Sequence, residues 1–250
     1  MVNTSLLNLT FFPTSPGSLA FVNGIEIVSV PDGLYFGDYQ GNPSQSPCGP
    51  VTSVPTSQLS IQGPVAFQTV ARLNVGGGDV AAHGDSGGML RTWFNDENFV
   101  AGNFHGAVRG KTPRMKIKYT PSVPAYTAPD AVYLTARVMG PYNETIKMSN
   151  NLTWGISVDP GFDYLVRLHF CEIDPNITGD NQRVFNIYIN NQTAQRQADV
   201  MAWTNDITYS PVCKDYVVTA NGGGNGSDAA VGNFVPLLLT LYPDIEGKPR

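Results

Sequence analysis

The sequence predicts an all-β protein that folds as a sandwich of two packed antiparallel sheets. Apolar residues alternate with a period of two in several segments, and no segment carries a long apolar stripe with the 3.6-residue period of a helix. Glycine (26 residues) and proline (19 residues) are abundant but do not recur at a fixed interval, which is typical of short strands joined by turns. Because alternate side chains of a strand face opposite sides, each segment offers one apolar face to a second layer.

The predicted strands lie mainly in the second half of the chain. They cover residues 132–138, 152–158, 164–170, 185–189 and 234–242, the last being almost continuously apolar. Asn190-Asn191 follows the fourth of these segments and predicts a turn. In residues 164–170, Arg167 and His169 fall on the face opposite the apolar one. We expect His169 to be a packed or partly exposed side chain and not a catalytic base.

The chain divides into three predicted regions. Residues 36–66 are rich in glycine, proline, serine and glutamine and predict a linker or long loop. Residues 1–35 are too few to bury a core alone, so we expect them to be the C-terminal remnant of a first domain. Residues 67–250 are expected to form a second domain.

Composition and charge exclude several functional classes. Only 14% of the residues are charged and the net charge is −5, which gives no reason to expect nucleic acid or an anionic membrane surface as a partner. No apolar run approaches the roughly 18 residues that a membrane-spanning helix needs. The first residues lack a basic segment before their apolar ones, so we expect no signal peptide in this chain.

The three cysteines, Cys48, Cys171 and Cys213, allow one disulfide, and the sequence does not select the pair. No Cys-x-x-Cys spacing occurs, so we expect neither a zinc nor a redox site, and no cofactor. Cys171 lies inside a strand pattern, and we expect it to be a small buried apolar residue.

Sequons for N-linked glycosylation are more frequent than chance predicts. Roughly three Asn-x-Ser/Thr sites would arise from this composition. The chain has seven, at Asn3, Asn8, Asn143, Asn151, Asn176, Asn191 and Asn225. This excess predicts an extracellular protein, since sequons are used only after translocation.

One glycine-rich segment resembles a catalytic loop. Gly84-Asp85-Ser86-Gly87-Gly88 is similar to the nucleophile loop of chymotrypsin-like serine proteases. The only histidine before it is His83, however, and the chain has no room there for the first barrel of such a protease. We therefore interpret the segment as a glycine-rich turn. The acidic turns lack the spacing of a calcium loop and are interpreted as solvated carboxylates.

Aromatic residues outside the alternating segments are candidates for ligand contacts. Phe99 and Phe104 lie in stretches rich in glycine, asparagine and aspartate, where aromatic faces can stack on sugars or anchor peptides. Trp93 and Trp203 are expected to cap the core of the sandwich.

The residues also resemble a known family. Tyr164-Leu165-Val166-Arg167-Leu168-His169-Phe170-Cys171-Glu172 is highly characteristic of it. Further matching motifs are Arg72-Leu73-Asn74-Val75-Gly76-Gly77, Arg91-Thr92-Trp93, Ala128-Pro129-Asp130-Ala131-Val132-Tyr133, Asn181-Gln182-Arg183-Val184-Phe185 and Lys214-Asp215-Tyr216-Val217-Val218. Together they resemble the second malectin-like domain of the FERONIA-type plant receptor-like kinases. Ala20-Phe21-Val22-Asn23-Gly24-Ile25-Glu26 resembles the closing strand of the first such domain.

The resemblance implies a fragment of a cell-surface receptor. It implies a malectin-like, jelly-roll-like sandwich, with the first domain truncated and the second lacking only its closing strand. The membrane helix and the kinase would lie outside this chain, so we expect no enzyme activity in it. The implied location is the extracellular face of the plasma membrane.

The implied function is the non-catalytic recognition of a secreted peptide of the rapid-alkalinization-factor type, together with a GPI-anchored co-receptor. The alternative is a lectin-like module that binds cell-wall pectin or oligosaccharides. Two regions are candidates for the ligand-facing rim, because loops at the end of a rigid scaffold commonly carry function. These are the glycine-rich residues 76–88 and the acidic turn from Asp174 to Asp180.

Overall fold

The structure of the protein is a computed structural model. It describes residues 9–12, 15, 17, 22–23, 34–35, 46–54, 67–101, 106–110, 115–139, 151–221 and 234–244. The chain divides into two compact units, residues 1–30 and residues 31–250. The described residues of the first unit contain no helix or strand, and the predicted closing strand there lies almost entirely outside the described residues.

The second unit is built mainly of strands. In its described part they are β1 (Thr52–Val54), β2 (Leu73–Asn74), β3 (Phe94–Asn95), β4 (Val100–Ala101), β5 (Ala107–Arg109), β6 (Ala136–Val138), β7 (Leu152–Val158), β8 (Asp163–Cys171), β9 (Val184–Ile189), β10 (Gln192–Asp199), β11 (Pro211–Thr219) and β12 (Val235–Pro243). Two single-turn helices, α1 (Asp130–Tyr133) and α2 (Val200–Trp203), and two 3₁₀ turns, Ala82–Gly84 and Glu97–Phe99, accompany them.

Two sheets form the sandwich. One has three strands in the order β1-β11-β8, and the other has five in the order β10-β9-β12-β7-β4. All pairs within them are antiparallel except β1 with β11. The main core draws on both sheets, for example on Val54 and Tyr216 from the first and on Ile187 and Leu237 from the second. The predicted all-β sandwich is therefore confirmed.

Several predicted strands are confirmed with their burial patterns. In β9, Phe185, Ile187 and Ile189 are buried and alternate with partly exposed residues. Asn190 and Asn191 have φ values of 49° and 61°, as a two-residue type I′ hairpin turn requires. The apolar segment at residues 234–242 forms β12, which lies between β7 and β9 and so is central in its sheet.

Strand β8 is packed on both faces, which its sequence pattern did not predict. A second cluster of buried residues, Val80, Trp93, Ala128 and Tyr133, packs with Cys171 of β8. His169 joins the same side of the strand, because its ring lies edge-on to those of Trp93 and Tyr133. The face expected to be polar therefore carries a smaller core of its own.

The prediction of a strand at residues 132–138 is wrong for the first half of that segment. Val132 belongs to helix α1, and only Ala136–Val138 is a strand. The backbone N–H of Asp130 donates to Ser86 Oγ at 2.9 Å, which satisfies a donor at the start of the helix. Tyr133 is 2% exposed, so tertiary packing of one aromatic ring overrides the local alternation.

The described part of the predicted linker is anchored to the three-stranded sheet. A disulfide joins Cys48 to Cys213 of β11 and leaves Cys171 as a half-buried free thiol. Strand β1 continues this attachment, since Thr52 pairs with Tyr216. Residues 46–54 are thus part of the sandwich, while the domain boundaries at residues 35 and 66 stay predictions.

The disulfide predicts a large stability difference between cysteine variants. Replacing Cys48 and Cys213 together by alanine should lower the free energy of unfolding by about 2–5 kcal/mol, because the unfolded chain loses a long covalent loop. Cys171→Ala is the control and should cost about 1 kcal/mol. Urea unfolding measures both, and equal losses for the two variants would contradict the assigned pairing.

Candidate ligand-binding rim

A buried carboxylate, Asp96, organises one end of the sandwich. Asp96 is 0% exposed. Its oxygens accept hydrogen bonds from Arg137 Nε at 2.6 Å, Arg137 Nη2 at 2.9 Å, Trp154 Nε1 at 2.8 Å and the Gly76 backbone N–H at 3.0 Å. Arg137 lies on β6 and Trp154 on β7. One side chain therefore joins the loop after β2 to two other strands.

Asp96 is held in its ionised form. Burial acts to raise its pKa, but the hydrogen bonds from Arg137, Trp154 and Gly76 outweigh burial and lower the pKa of Asp96 below its usual value. The side-chain hydrogen bond to Asp96 in turn raises the pKa of the Arg137 guanidinium, which favours its charged form. The two charges thus stabilise each other inside the domain.

Three consecutive glycines, Gly76 to Gly78, lie next to Asp96. Close packing leaves no room for a side chain at the first two. Gly76 has a φ of +67°, and a Cβ there would lie 2.5 Å from the carbonyl oxygen of Ala136. A Cβ on Gly77 would lie 2.3 Å from Asn74 Nδ2. On Gly78, by contrast, a Cβ would meet nothing within 4 Å. The first two glycines fix the loop against its neighbours, whereas the third borders open space.

This loop forms one wall of a cleft of about 400 Å³. The lining residues are Gly76, Gly77, Gly78, Asn95, Glu97, Val108 and Arg137. Its volume falls within the range of small-ligand sites, which run from about 300 to 1,000 Å³. Glu97 is exposed and Val108 is 56% exposed, so a ligand here would meet a solvent-exposed carboxylate and an apolar side chain above a rigid base.

The serine-containing loop is structural. The Asp85 carboxylate, 5% exposed, accepts hydrogen bonds from Arg91 Nε at 2.8 Å and from the Gly87 backbone N–H at 3.0 Å. Arg91 also donates to the carbonyl oxygens of Tyr126 and Thr127. Ser86 Oγ is used to accept from the backbone of helix α1. This loop thus fastens two segments together, and its serine takes part in capping.

The negative charges of the acidic turn after β8 are largely neutralised by Arg183, which follows the turn in the sequence. Arg183 Nη1 donates at 2.7 Å to both oxygens of the buried Glu172, and Arg183 Nη2 lies 3.3 Å from Asp174 Oδ2. Asp174 also accepts from the N–H and the Nδ2 of Asn176. Asp180 is exposed, and its carboxylate has no hydrogen bond or ion pair within the described ranges. Of the two predicted acidic candidates, Asp180 is the one with a free charge.

The cleft and the acidic turn lie at the same end of the second unit. Strand β5 connects them, because Val108 lines the cleft while Arg109 Nη2 lies 3.9 Å from Asp174 Oδ2. We call the cleft-lining residues together with residues 172–182 the rim. The sequence identified the glycine-rich loop and the acidic turn separately, and the structure brings them together.

The aromatic candidates occupy different positions. Phe99 is half-buried at the end of its 3₁₀ turn and does not line the cleft. Phe104 lies outside the described residues, so its role stays a prediction, as does that of Phe99. Trp93 is 5% exposed in the smaller core, and Trp203 packs against the main core.

The sequence does not mark Glu97, Val108 or Arg137 as rim residues. Glu97 and Val108 are exposed side chains on short elements, and no pattern in the sequence places them beside the glycine loop. The triple glycine at residues 76–78 was the one available signal, since consecutive glycines often mark a close approach of backbones.

His169 is a packed, uncharged residue. Its Nδ1 lies 3.0 Å from the hydroxyl oxygen of Tyr133. Burial, followed by the nearby charges of Arg167 and Arg91, lowers the pKa of His169 to about 3. The ring is therefore neutral over the physiological pH range and stabilises the smaller core.

Three predicted sequons fall within the described residues. Asn151 is half-buried at the start of β7, whereas Asn176 and Asn191 are exposed. Asn3, Asn8, Asn143 and Asn225 lie outside the described part of the chain. Modification of all seven stays a prediction at this point.

The described residues contain no group of three or more His, Cys, Asp or Glu side chains arranged to hold a metal ion. None of the helices in this part of the chain is long and apolar enough to cross a membrane.

The sandwich, the anchored linker and the rim together define a β-sandwich module in which loops at one end are held by buried ion pairs. Comparison with known proteins specifies the class further. The model of the malectin-like domain matches residues 1–228. The chain belongs to the malectin-like domain family.

The relatives are plant receptor kinases. The chain is 44% identical to the receptor-like protein kinase FERONIA of Arabidopsis thaliana over 252 residues, which is 100% of this chain and 26% of that protein. It is 39% identical to ANXUR2 of the same plant, over 98% of this chain and 26% of the relative. The chain thus spans about a quarter of the length of the curated relatives it matches.

Solved structures give the same result. A crystal structure of FER matches with a TM-score of 0.65 and 48% identity, covering 72% of this chain and 45% of that one. A chain in the crystal structure of the plant peptide RALF23 in complex with FER and LLG2 matches with a TM-score of 0.63 and 43% identity, covering 77% of this chain and 49% of that one. The ectodomain of ANXUR1 from Arabidopsis thaliana has a TM-score of 0.63 at 38% identity, covering 72% and 44%. The chain therefore corresponds to the extracellular, non-catalytic part of these receptor kinases.

The glycine loop predicts opposite results for two neighbouring substitutions. Gly76→Ala should lower the free energy of unfolding by about 2–3 kcal/mol, because it adds a left-handed alanine and a clash with a backbone carbonyl. Gly78→Ala should change it by less than about 0.5 kcal/mol. Chemical denaturation measures both, and equal effects would contradict the close approach at Gly76.

His169 predicts a pH dependence of stability. Between pH 6.5 and about pH 4 the unfolded chain binds a proton at this residue and the folded chain does not, so stability falls as the pH is lowered. The contribution reaches about 1.4 kcal/mol per pH unit. His169→Gln removes it, and the difference between the two proteins cancels other titrating groups. Denaturation at several pH values measures it, and identical pH slopes would refute the assignment.

Proposed function

We propose that the chain is the extracellular ligand-recognition module of a plant cell-surface receptor. It binds a secreted peptide of the rapid-alkalinization-factor type at the rim, together with a GPI-anchored co-receptor. The observation that carries the proposal is the likeness to FER, which has been crystallised in complex with RALF23 and LLG2. At 43% identity over 77% of this chain, the two share side chains as well as a fold.

The charges of the rim support a basic peptide as ligand. Glu97 borders the cleft and is exposed, and Asp180 carries a carboxylate with no partner in the described ranges. The chain as a whole has a net charge of −5. Charge complementarity of this kind speeds encounter and selects partners more than it adds affinity. Glu172 and Asp174 serve a different role, because they are already paired with Arg183.

The rigidity of the rim supports the proposal as well. The Gly76 loop, β6 and β7 are joined through Asp96, so binding needs little ordering of the receptor. Pre-organisation lowers the entropic cost that a flexible peptide otherwise adds to association.

The test is peptide binding to the full-length ectodomain in the presence of the co-receptor, measured by surface plasmon resonance. Combined Glu97→Gln and Asp180→Asn changes should lower the association rate of a basic peptide about 3- to 10-fold and reduce its salt dependence. The combination of Asp159→Asn and Asp163→Asn is the matched control, because it removes the same number of charges at exposed positions beside the β7–β8 turn, at the opposite end of β8.

Two outcomes would refute this function. The first is the absence of peptide binding by a correctly folded ectodomain with its co-receptor. The second is an equal loss from the rim variant and from the control variant at residues 159 and 163, which would show that only the overall charge matters.

A carbohydrate-binding role is the second candidate, and the cleft favours it. The cleft has a suitable volume, and Asn95 and Glu97 are groups that bind hydroxyls. No aromatic residue is among its described lining residues, so the stacking surface typical of sugar sites would have to come from Phe104 or another residue outside the described ranges.

Filling the cleft separates the two candidates. Gly78→Leu places a large side chain where a Cβ meets nothing within 4 Å. Calorimetric titration with pectin fragments and glucose oligomers should show binding to the wild type and at least a 10-fold loss in this variant if sugars bind there. Sugar binding that Gly78→Leu leaves unchanged would exclude the cleft as the site.

A further inference from the structure

The five-stranded sheet has an outer face, which is the side that points away from the main core. Tyr188 lies on this face, because both of its neighbours in β9 belong to the main core. In the strand register, Thr193 of β10 lies opposite Tyr188, and Tyr188 lies opposite Thr240 of β12. Thr240 in turn lies opposite Thr153 of β7. Directly opposed residues share a face of the sheet, so these hydroxyl-bearing side chains form a row across four adjacent strands.

This row has the dimensions of a short polysaccharide segment. Neighbouring strands lie about 4.8 Å apart, so the row is about 14 Å long, and its spacing is close to the length of one sugar ring in an extended chain. Thr240 is 9% exposed and forms the floor of the row, where its hydroxyl oxygen lies 3.1 Å from that of Thr153. Thr193 is exposed at one end. An extended chain that crosses the strands would therefore meet polar groups from several of them.

Two tyrosine rings stand beside this row. Tyr242 follows Thr240 by two residues in β12, so it lies on the outer face as well, and it is 41% exposed. The rings of Tyr188 and Tyr242 are 5.7 Å apart between centroids and perpendicular, with an interplanar angle of 88°. Perpendicular rings cannot both lie flat on the sheet, so at least one stands up from it. A chain that lies beside that ring has an aromatic face on which to stack and a phenolic hydroxyl to bond.

The outer face also lacks charge where a ligand would cross it. The three middle strands of the sheet, β9, β12 and β7, contain no charged residue. Strands β8 and β11 of the other sheet, by contrast, both contain charged residues. A charged ligand would give up its hydration on the middle strands without gaining an opposite charge. An uncharged ligand that carries hydroxyl groups can exchange water for the side chains of the row without this cost.

We propose that the outer face of the five-stranded sheet binds an uncharged, extended polysaccharide, which lies across β10, β9, β12 and β7 and stacks on Tyr188 and Tyr242. A protein partner would need a desolvated apolar core in its interface, whereas this face offers mainly hydroxyl groups and an amide, that of Asn186. None of these residues lines the cleft. The site is therefore separate from the rim, and the inference does not rest on peptide recognition there.

The test is calorimetric titration of the full-length ectodomain with cellohexaose, which is an uncharged glucose chain, and with polygalacturonate, which is acidic. Cellohexaose should bind with an affinity that changes less than about 2-fold between low and high salt, because no ion pair contributes. Cellobiose covers only part of the row and should bind at least about 10-fold more weakly. Polygalacturonate should not bind to this face.

Substitutions at Tyr242 locate the binding. Tyr242→Ala should weaken cellohexaose binding about 10-fold or more, because it removes the stacking partner. Tyr242→Phe keeps the ring and should stay within about 3-fold of the wild type. Phe162→Ala is the matched control, since it removes a ring that is 63% exposed in the turn before β8 of the other sheet, and it should leave binding unchanged.

Four outcomes would overturn the proposal. They are the absence of cellohexaose binding by the folded ectodomain, an equal loss in Phe162→Ala and Tyr242→Ala, a loss in Gly78→Leu, which would assign the sugar to the cleft, and self-association that Tyr242→Ala abolishes, which would assign the face to a second copy of this chain. Failure of the ectodomain to bind a peptide would bear on the proposed function alone.

Discussion

The ion pair between Asp96 and Arg137 holds together the end of the second unit that carries the rim. Asp96 is fully buried and receives four hydrogen bonds from three segments that are distant in the sequence. A buried carboxylate is tolerated only when its charge and lone pairs are satisfied. Each of these segments must therefore reach its native position before Asp96 is satisfied. This requirement links the conformation of the glycine loop to the sheet behind it, and so makes the cleft a fixed feature of the fold.

Buried ion pairs of the same kind occur elsewhere in the second unit. Arg91 pairs with Asp85, Arg167 with Asp215 and Arg183 with Glu172, and the carboxylates of these pairs are at most 5% exposed. Arg167 also donates to the carbonyl oxygen of Leu34 and lies 5.0 Å from the ring of Tyr35, so one pair attaches an upstream segment to the sheet. In a chain with only 14% charged residues, these pairs thus place charges inside the protein, where they position loops.

The sequence predicted the parts of the fold that follow local rules. Alternation with one buried face identified β7 and β9, and the Asn190-Asn191 pair identified the hairpin turn. It did not predict that β8 is covered on both faces, because the covering residues, such as Trp93 and Tyr133, come from loops and short elements without periodicity. The rim was predicted only in outline, since its cleft depends on contacts across the fold, such as Gly76 with Ala136. Residue patterns report local geometry, and these contacts are not local.

Unfolding of Asp96→Asn tests this account most directly. The change keeps the size of the side chain but removes its charge, and so takes away the buried carboxylate that pairs with the Arg137 guanidinium. Breaking a buried pair in this way costs about 3–5 kcal/mol. Hydrogen exchange should also become faster at the backbone N–H of Gly76, which loses its charged acceptor. Asp159→Asn, at an exposed carboxylate, should change neither quantity. A loss of stability below about 1 kcal/mol in Asp96→Asn, with unchanged exchange at Gly76, would contradict the claim that this pair holds the rim.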